Sequence, residues 1–107
     1  MKDFDDDEKF SRWIYDILGT GTMTSESVTA ALAVAFYCRN AERAAVMCAN
    51  MGGDTDTIGA MACAVCGAFE GFDALPASRT SFLETTNALD FRAMAADVAR
   101  ARASFHL

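Results

Sequence analysis

Gly52-Gly53-Asp54-Thr55-Asp56-Thr57-Ile58-Gly59 runs directly into Ala60 to Phe69, a stretch made almost wholly of apolar and small residues. Paired glycines let the chain turn without Cβ clashes. Asp54 then stands at the expected N-cap, with Asp56 and Thr57 in the first turn of a helix that must be buried along most of its length. Ile58, Met61, Ala62, Val65 and Phe69 mark its expected core face. Gly59, Ala60, Ala64, Gly67 and Ala68 leave the other side small enough for neighbouring backbones to approach closely. Gly71 suits the exit of this helix, and Pro76 confirms a loop after it.

Working outward, the same period recurs on both sides. Phe10, Trp13, Ile14, Ile17 and Leu18 fall at i, i+3, i+4, i+7 and i+8, an amphipathic helix with Phe10 and Trp13 in the core. Gly19-Thr20-Gly21-Thr22 breaks it as a flexible loop, and without a third glycine or a lysine it makes no phosphate-loop fingerprint. Thr24 or Ser25 can cap the next helix, with Glu26 in its first turn, and this helix runs through Val28, Leu32, Ala35 and Phe36 to about Arg39. Asn40 is the expected stop, and Ala41 to Asn50 reads as a short Ala-rich helix. Beyond Pro76, residues 81–88 and 91–101 read as two further helices whose Phe82, Leu83, Leu89, Phe91, Met94, Ala95 and Val98 can close a bundle. The expected fold is all-α: a compact bundle of five or six short helices in one partial domain. Residues 1–8 form an acidic lead-in, and functional loops lie at 19–22 and 52–57.

Composition excludes several function classes. A chain of 107 residues holds one modest core, and 52% hydrophobic content with a single proline and no alternating β-branched runs disfavours a sheet. The net charge of −6, with five acids against Lys2 and Lys9 in the first nine residues, disfavours nucleic acid, whose phosphates need a basic surface. There is no signal-peptide pattern and no uninterrupted apolar run of membrane-spanning length. The expected location is the cytoplasm, with the four cysteines reduced.

Two carboxylates within three residues repel each other unless something positive stands between them. Their oxygens, with the Thr57 hydroxyl, are hard ligands suited to Mg²⁺, Mn²⁺ or Ca²⁺. An EF-hand is rejected: with Asp54 and Asp56 at loop positions 1 and 3, positions 5 and 12 fall on Ile58 and Val65, which carry no side-chain oxygen. Mg²⁺ or Mn²⁺ with retained waters fits better. The simpler alternative is purely structural, with Asp54 capping the helix and Asp56 complementing its dipole.

Three ordered motifs carry a family resemblance: Leu18-Gly19-Thr20-Gly21-Thr22, then Glu26-Ser27-Val28 opening an Ala-rich helix, then Gly52 to Ala62 with GGDTDT at its head. Together they resemble the C-terminal part of the ADP-ribosylglycohydrolase family, which includes the dinitrogenase-reductase-activating glycohydrolases and the ADP-ribosyl-crystallin-like proteins. The resemblance spans roughly residues 10–98. It implies an all-α hydrolase with a two-metal Mg²⁺ or Mn²⁺ centre that removes ADP-ribose from protein side chains or related conjugates. Asp54, Asp56 and Thr57 would be metal ligands, and Gly52 and Gly53 would let the backbone approach the ribose. Gly19, Gly21 and Thr22 would border the adenosine end. The family's other metal motif, a Thr or Ser followed by two aspartates, and its upstream acidic residue have no counterpart here. The resemblance therefore implies a C-terminal segment that works with a complementing N-terminal chain or a second copy of itself. Its partner is ADP-ribose or an ADP-ribosylated protein. A non-catalytic fragment that binds ADP-ribose or a protein through exposed apolar helix faces is the alternative.

The remaining chemically suggestive residues have plainer readings. Cys63 and Cys66 lie in a buried helix with no histidine or second pair nearby, and Cys38 and Cys48 sit on other helices, so all four read as small core residues rather than a zinc or redox site. His106 is too near the terminus to read as catalytic. Arg100 and Arg102 read as solvated charge.

Overall fold

A computed structural model describes residues 7–105. Among them are six α-helices and no strand: α1 (Asp7–Trp13), α2 (Thr24–Cys38), α3 (Ala41–Met51), α4 (Thr55–Glu70), α5 (Ala77–Asn87) and α6 (Phe91–Ser104). A π-helical turn, Ile14–Leu18, extends α1, and a 3₁₀ turn, Phe72–Ala74, follows α4. Asp5, Asp6 and His106 lie outside the described residues. The helices fall into two units, one ending at Leu75 and one beginning at Pro76.

In the first unit α4 packs against α2 and α3, and α1 packs against α3. Phe10, Ile14, Val34 and Ile58 are fully buried, with Ala30, Ala44, Ala62, Cys48 and Cys66 filling the space between them. Of the expected small side of α4 only Gly59 meets a neighbouring helix, where an added Cβ would lie 3.4 Å from Cys48 Cβ on α3; Ala60, Ala64 and Ala68 are exposed, and nothing lies within 4 Å of a Cβ at Gly67. The core row of α4 is Ile58, Ala62 and Cys66, one residue every turn. This corrects the expected face: Met61 is half-buried, while Val65 and Phe69 are exposed, Phe69 by 72%. The buried row combines Ile58 with the small Ala62 and Cys66, and Val65 and Phe69 are left outward.

The termini of these helices also depart from expectation. The α2 N-cap is Met23, and neither Thr24 nor Ser25 caps it. α2 ends at Cys38, beside the expected stop, and Asn40 is also the N-cap of α3, its Oδ1 accepting the Arg43 N–H at 2.9 Å. The Glu70 carboxylate accepts the Ala41 N–H at 3.3 Å, so an acid from the end of α4 meets the positive end of α3. Trp13 is partly exposed, whereas Phe10 is buried and stacks on Tyr37 at 4.0 Å between centroids. Asp7 belongs to α1 and makes a two-pronged pair with Arg43, Nη2 to Oδ1 at 2.6 Å and Nε to Oδ2 at 3.3 Å. The Arg43 hydrogen bond holds the Asp7 carboxyl below its ordinary range.

In the second unit, α5 begins four residues earlier than the sequence suggests, directly after Pro76. Asp90 caps α6 by accepting the Ala93 N–H at 3.1 Å, and Glu84 accepts the Phe91 N–H at 2.8 Å. Neither helix carries a buried residue. Phe82, Leu83, Leu89, Met94 and Val98 all remain exposed.

Candidate functional site

The start of α4 is shaped by residues more than thirty positions apart. The Asp54 N–H donates to the Thr20 carbonyl at 2.6 Å, tying the head of α4 to the loop between the α1 extension and α2. Gly53, at φ +80°, lies so close to Thr20 that an added Cβ would overlap its hydroxyl and carbonyl oxygens. Thr20 is itself buried. At Asp54 (φ −82°, ψ 61°) the chain makes a tight turn in which the Thr55 N–H donates to the Gly53 carbonyl at 2.9 Å. Gly52 abuts the Tyr15 ring, which would stand 3.3 Å from a Cβ there. The loops at 19–22 and 52–57 thus form one corner of the first unit.

The carboxylates at this corner do not behave as caps. Asp54 holds the N-cap position of α4, yet its side chain accepts no helix N–H. The neighbouring Asp54 carboxyl is the largest of the effects that hold Asp56 below the ordinary carboxylate range. The Thr57 N–H, donating to Asp56 Oδ1 at 3.0 Å, acts in the same direction. Two carboxyls this close can share a proton or a cation. Asp56 and Thr57 are exposed and Asp54 is half-buried, so the pair opens to solvent.

Of the candidate site residues, Gly53 and Asp54 make the contacts that join the two loops, both through Thr20. Gly52, Gly53, Asp54, Asp56 and Thr57 form the α4 side, and Gly19 and Gly21 flank Thr20 on the other. Thr22 is an exposed residue of the same loop. The sequence reading overlooked Thr20 as the joint between the loops and Tyr15 as the wall beside Gly52. Only the glycine at 53 hinted at the first. It also gave Glu26 no role at the loop, although a Cβ at Gly19 would overlap Glu26 Oε1. No third His, Cys, Asp or Glu joins the aspartate pair among the described residues.

A sequence model of the ADP-ribosylglycohydrolase family matches residues 2–105. The chain belongs to the ADP-ribosylglycohydrolase family. A curated relative, the uncharacterized protein YegU of Escherichia coli (strain K12), is 43% identical over 103 residues, which cover 95% of this chain and 31% of the relative. The chain thus spans about a third of that relative's length. No solved structure matches. The family match takes in both loops of the corner and all six helices. No helix among the described residues is long and apolar enough to cross a membrane.

The cysteines keep their plain reading. Cys38, Cys48 and Cys66 are buried and Cys63 is half-buried, and all four are free thiols. Burial pushes Cys48 up to about 11 and Cys38 to about 12, so neither is a nucleophile near neutrality.

Proposed function

We propose that this chain supplies the α4 half of a metal-dependent hydrolase site that removes ADP-ribose from modified protein side chains or related conjugates. The supporting observation is the aspartate pair at the head of α4. Asp54 leaves the helix uncapped, and its carboxyl acts on that of Asp56 two residues on, so both carboxylates stand together at the helix start where a cation can bridge them. Two carboxylates and the Thr57 hydroxyl are hard donors that fit Mg²⁺ or Mn²⁺. Such an ion, when bound, polarises oxygen ligands and orients a water for attack at the ribose anomeric carbon.

The chain's own residues have definable parts in this reading. Asp54, Asp56 and Thr57 hold one side of the ion. Gly52 and Gly53 keep the backbone bare where the ribose would approach. Gly19, Gly21 and Thr22 border the adenosine end. With only two carboxylates in place, the rest of the ligand shell comes from water or from a complementing chain, either an N-terminal partner or a second copy.

Titration of the chain with Mn²⁺ by calorimetry, parent against Asp56→Asn, is the test. Loss of one of two carboxylate ligands should weaken binding by roughly tenfold or more, about 1.4 kcal/mol. Equal affinities for parent and variant would sink the reading.

A further inference from the structure

Glu26 sits half-buried in the first turn of α2, with its carboxylate pressed against the 19–22 loop. A Cβ at Gly19 would overlap Oε1 and stand 2.8 Å from Cδ, and one at Gly21 would lie 3.2 Å from Oε2 and 3.3 Å from Oε1. One carboxylate therefore lies against both glycines of the loop. The residue between those glycines, Thr20, carries the carbonyl that holds the Asp54 N–H and meets Gly53 on its other side. Contacts run unbroken from Glu26 through the loop backbone to Asp54, whose carboxyl acts on that of Asp56.

We propose that Glu26 is a positioning residue for the aspartate pair. Its side chain fills the space behind Gly19 and Gly21 and sets the height of the loop, and Thr20 transmits that height to the Asp54 amide. The direction in which the Asp54 side chain leaves the backbone follows from that amide. The meaning of this for catalysis rests on the reading in the preceding section, whereas the mechanical coupling does not.

Amide hydrogen exchange of the full chain, followed by NMR at Asp54, Ala62 and Cys66, tests the coupling without any metal. In Glu26→Gln, which keeps the length and shape, exchange at Asp54 should match the parent. In Glu26→Ala it should quicken by roughly tenfold or more while Ala62 and Cys66, in the core row of α4, stay within about twofold. Should Glu26→Ala fail to fold, Glu26→Asp withdraws the carboxylate by one methylene and should show the same selective change. Unchanged exchange at Asp54 would overturn the proposal. So would equal acceleration at all three amides, which marks a general loss of stability. Mn²⁺-induced broadening of the Asp54 to Thr57 amides in the parent is read separately. Its absence would count against the metal reading and leave the exchange result standing.

Discussion

Gly53→Ala is the sharpest structural perturbation of the corner. Two costs add. A φ of +80° is a left-handed backbone that an L-residue adopts at about 1–2 kcal/mol. The new methyl would also overlap the Thr20 hydroxyl and carbonyl oxygens, so Thr20 must move and the 2.6 Å bond to the Asp54 N–H must lengthen or break. A lost hydrogen bond of this kind costs about 0.5–1.5 kcal/mol, which brings the total to roughly 1.5–3.5 kcal/mol. At about 4–8 °C per kcal/mol for a domain of this size, the midpoint should fall by roughly 6 to 28 °C in a thermal melt followed by circular dichroism. Gly67→Ala is the control. Gly67 lies inside α4 with no heavy atom within 4 Å of an added Cβ, so alanine there should stabilise by about 0.5–1 kcal/mol. Opposite shifts for two Gly→Ala changes on either side of one helix start are the expected signature. A Gly53→Ala midpoint within the error of the parent would refute the packing of the two loops.

Other outcomes follow from the same structure. Ile58→Ala removes a fully buried side chain from the core row of α4 and should cost about 2–5 kcal/mol in urea denaturation, while Phe69→Ser, at an exposed site, should change little. Asp7→Asn should cost no more than about 1 kcal/mol, because the pair with Arg43 is half exposed to solvent. Since pairing lowers the folded pKa of Asp7, its contribution is complete above the unfolded value of 3.8 and is lost as pH falls through the lowered one. Parent and Asp7→Asn stabilities should therefore converge on acidification, and a gap that widens would contradict the pair. Thiol labelling at pH 8 should be slow in the native protein and fast in urea, as Cys38 and Cys48 are buried with raised pKa values; rapid native labelling of either residue would contradict the core.

Much of the helical order was legible because period and punctuation agree. Ala41 to Asn50 and the segment from Phe91 appear nearly where expected, and Gly71 ends α4 with its N–H on the Gly67 carbonyl. The face of α4 was misread because hydrophobicity weights Val65 and Phe69 above Ala62 and Cys66, whereas the buried row sets those two small residues beside Ile58. Capping was misread at Asp54 because its residue type fits an N-cap, and nothing local shows that its carboxylate accepts no helix N–H. The GGDTDT segment and the 19–22 loop were each visible as candidates. Their union through Thr20 and Asp54 is a long-range contact, and no local pattern encodes it.

The most direct test of the central claim is a thermal melt of the chain with and without Mn²⁺ plus ADP-ribose, for the parent and for Asp54→Asn. A ligand set that binds only the folded state adds about 2.7 kcal/mol at a hundredfold excess over its dissociation constant. The midpoint of the parent should rise clearly, and that of Asp54→Asn should not move. A cooperative melt of the parent with no shift would contradict the claim.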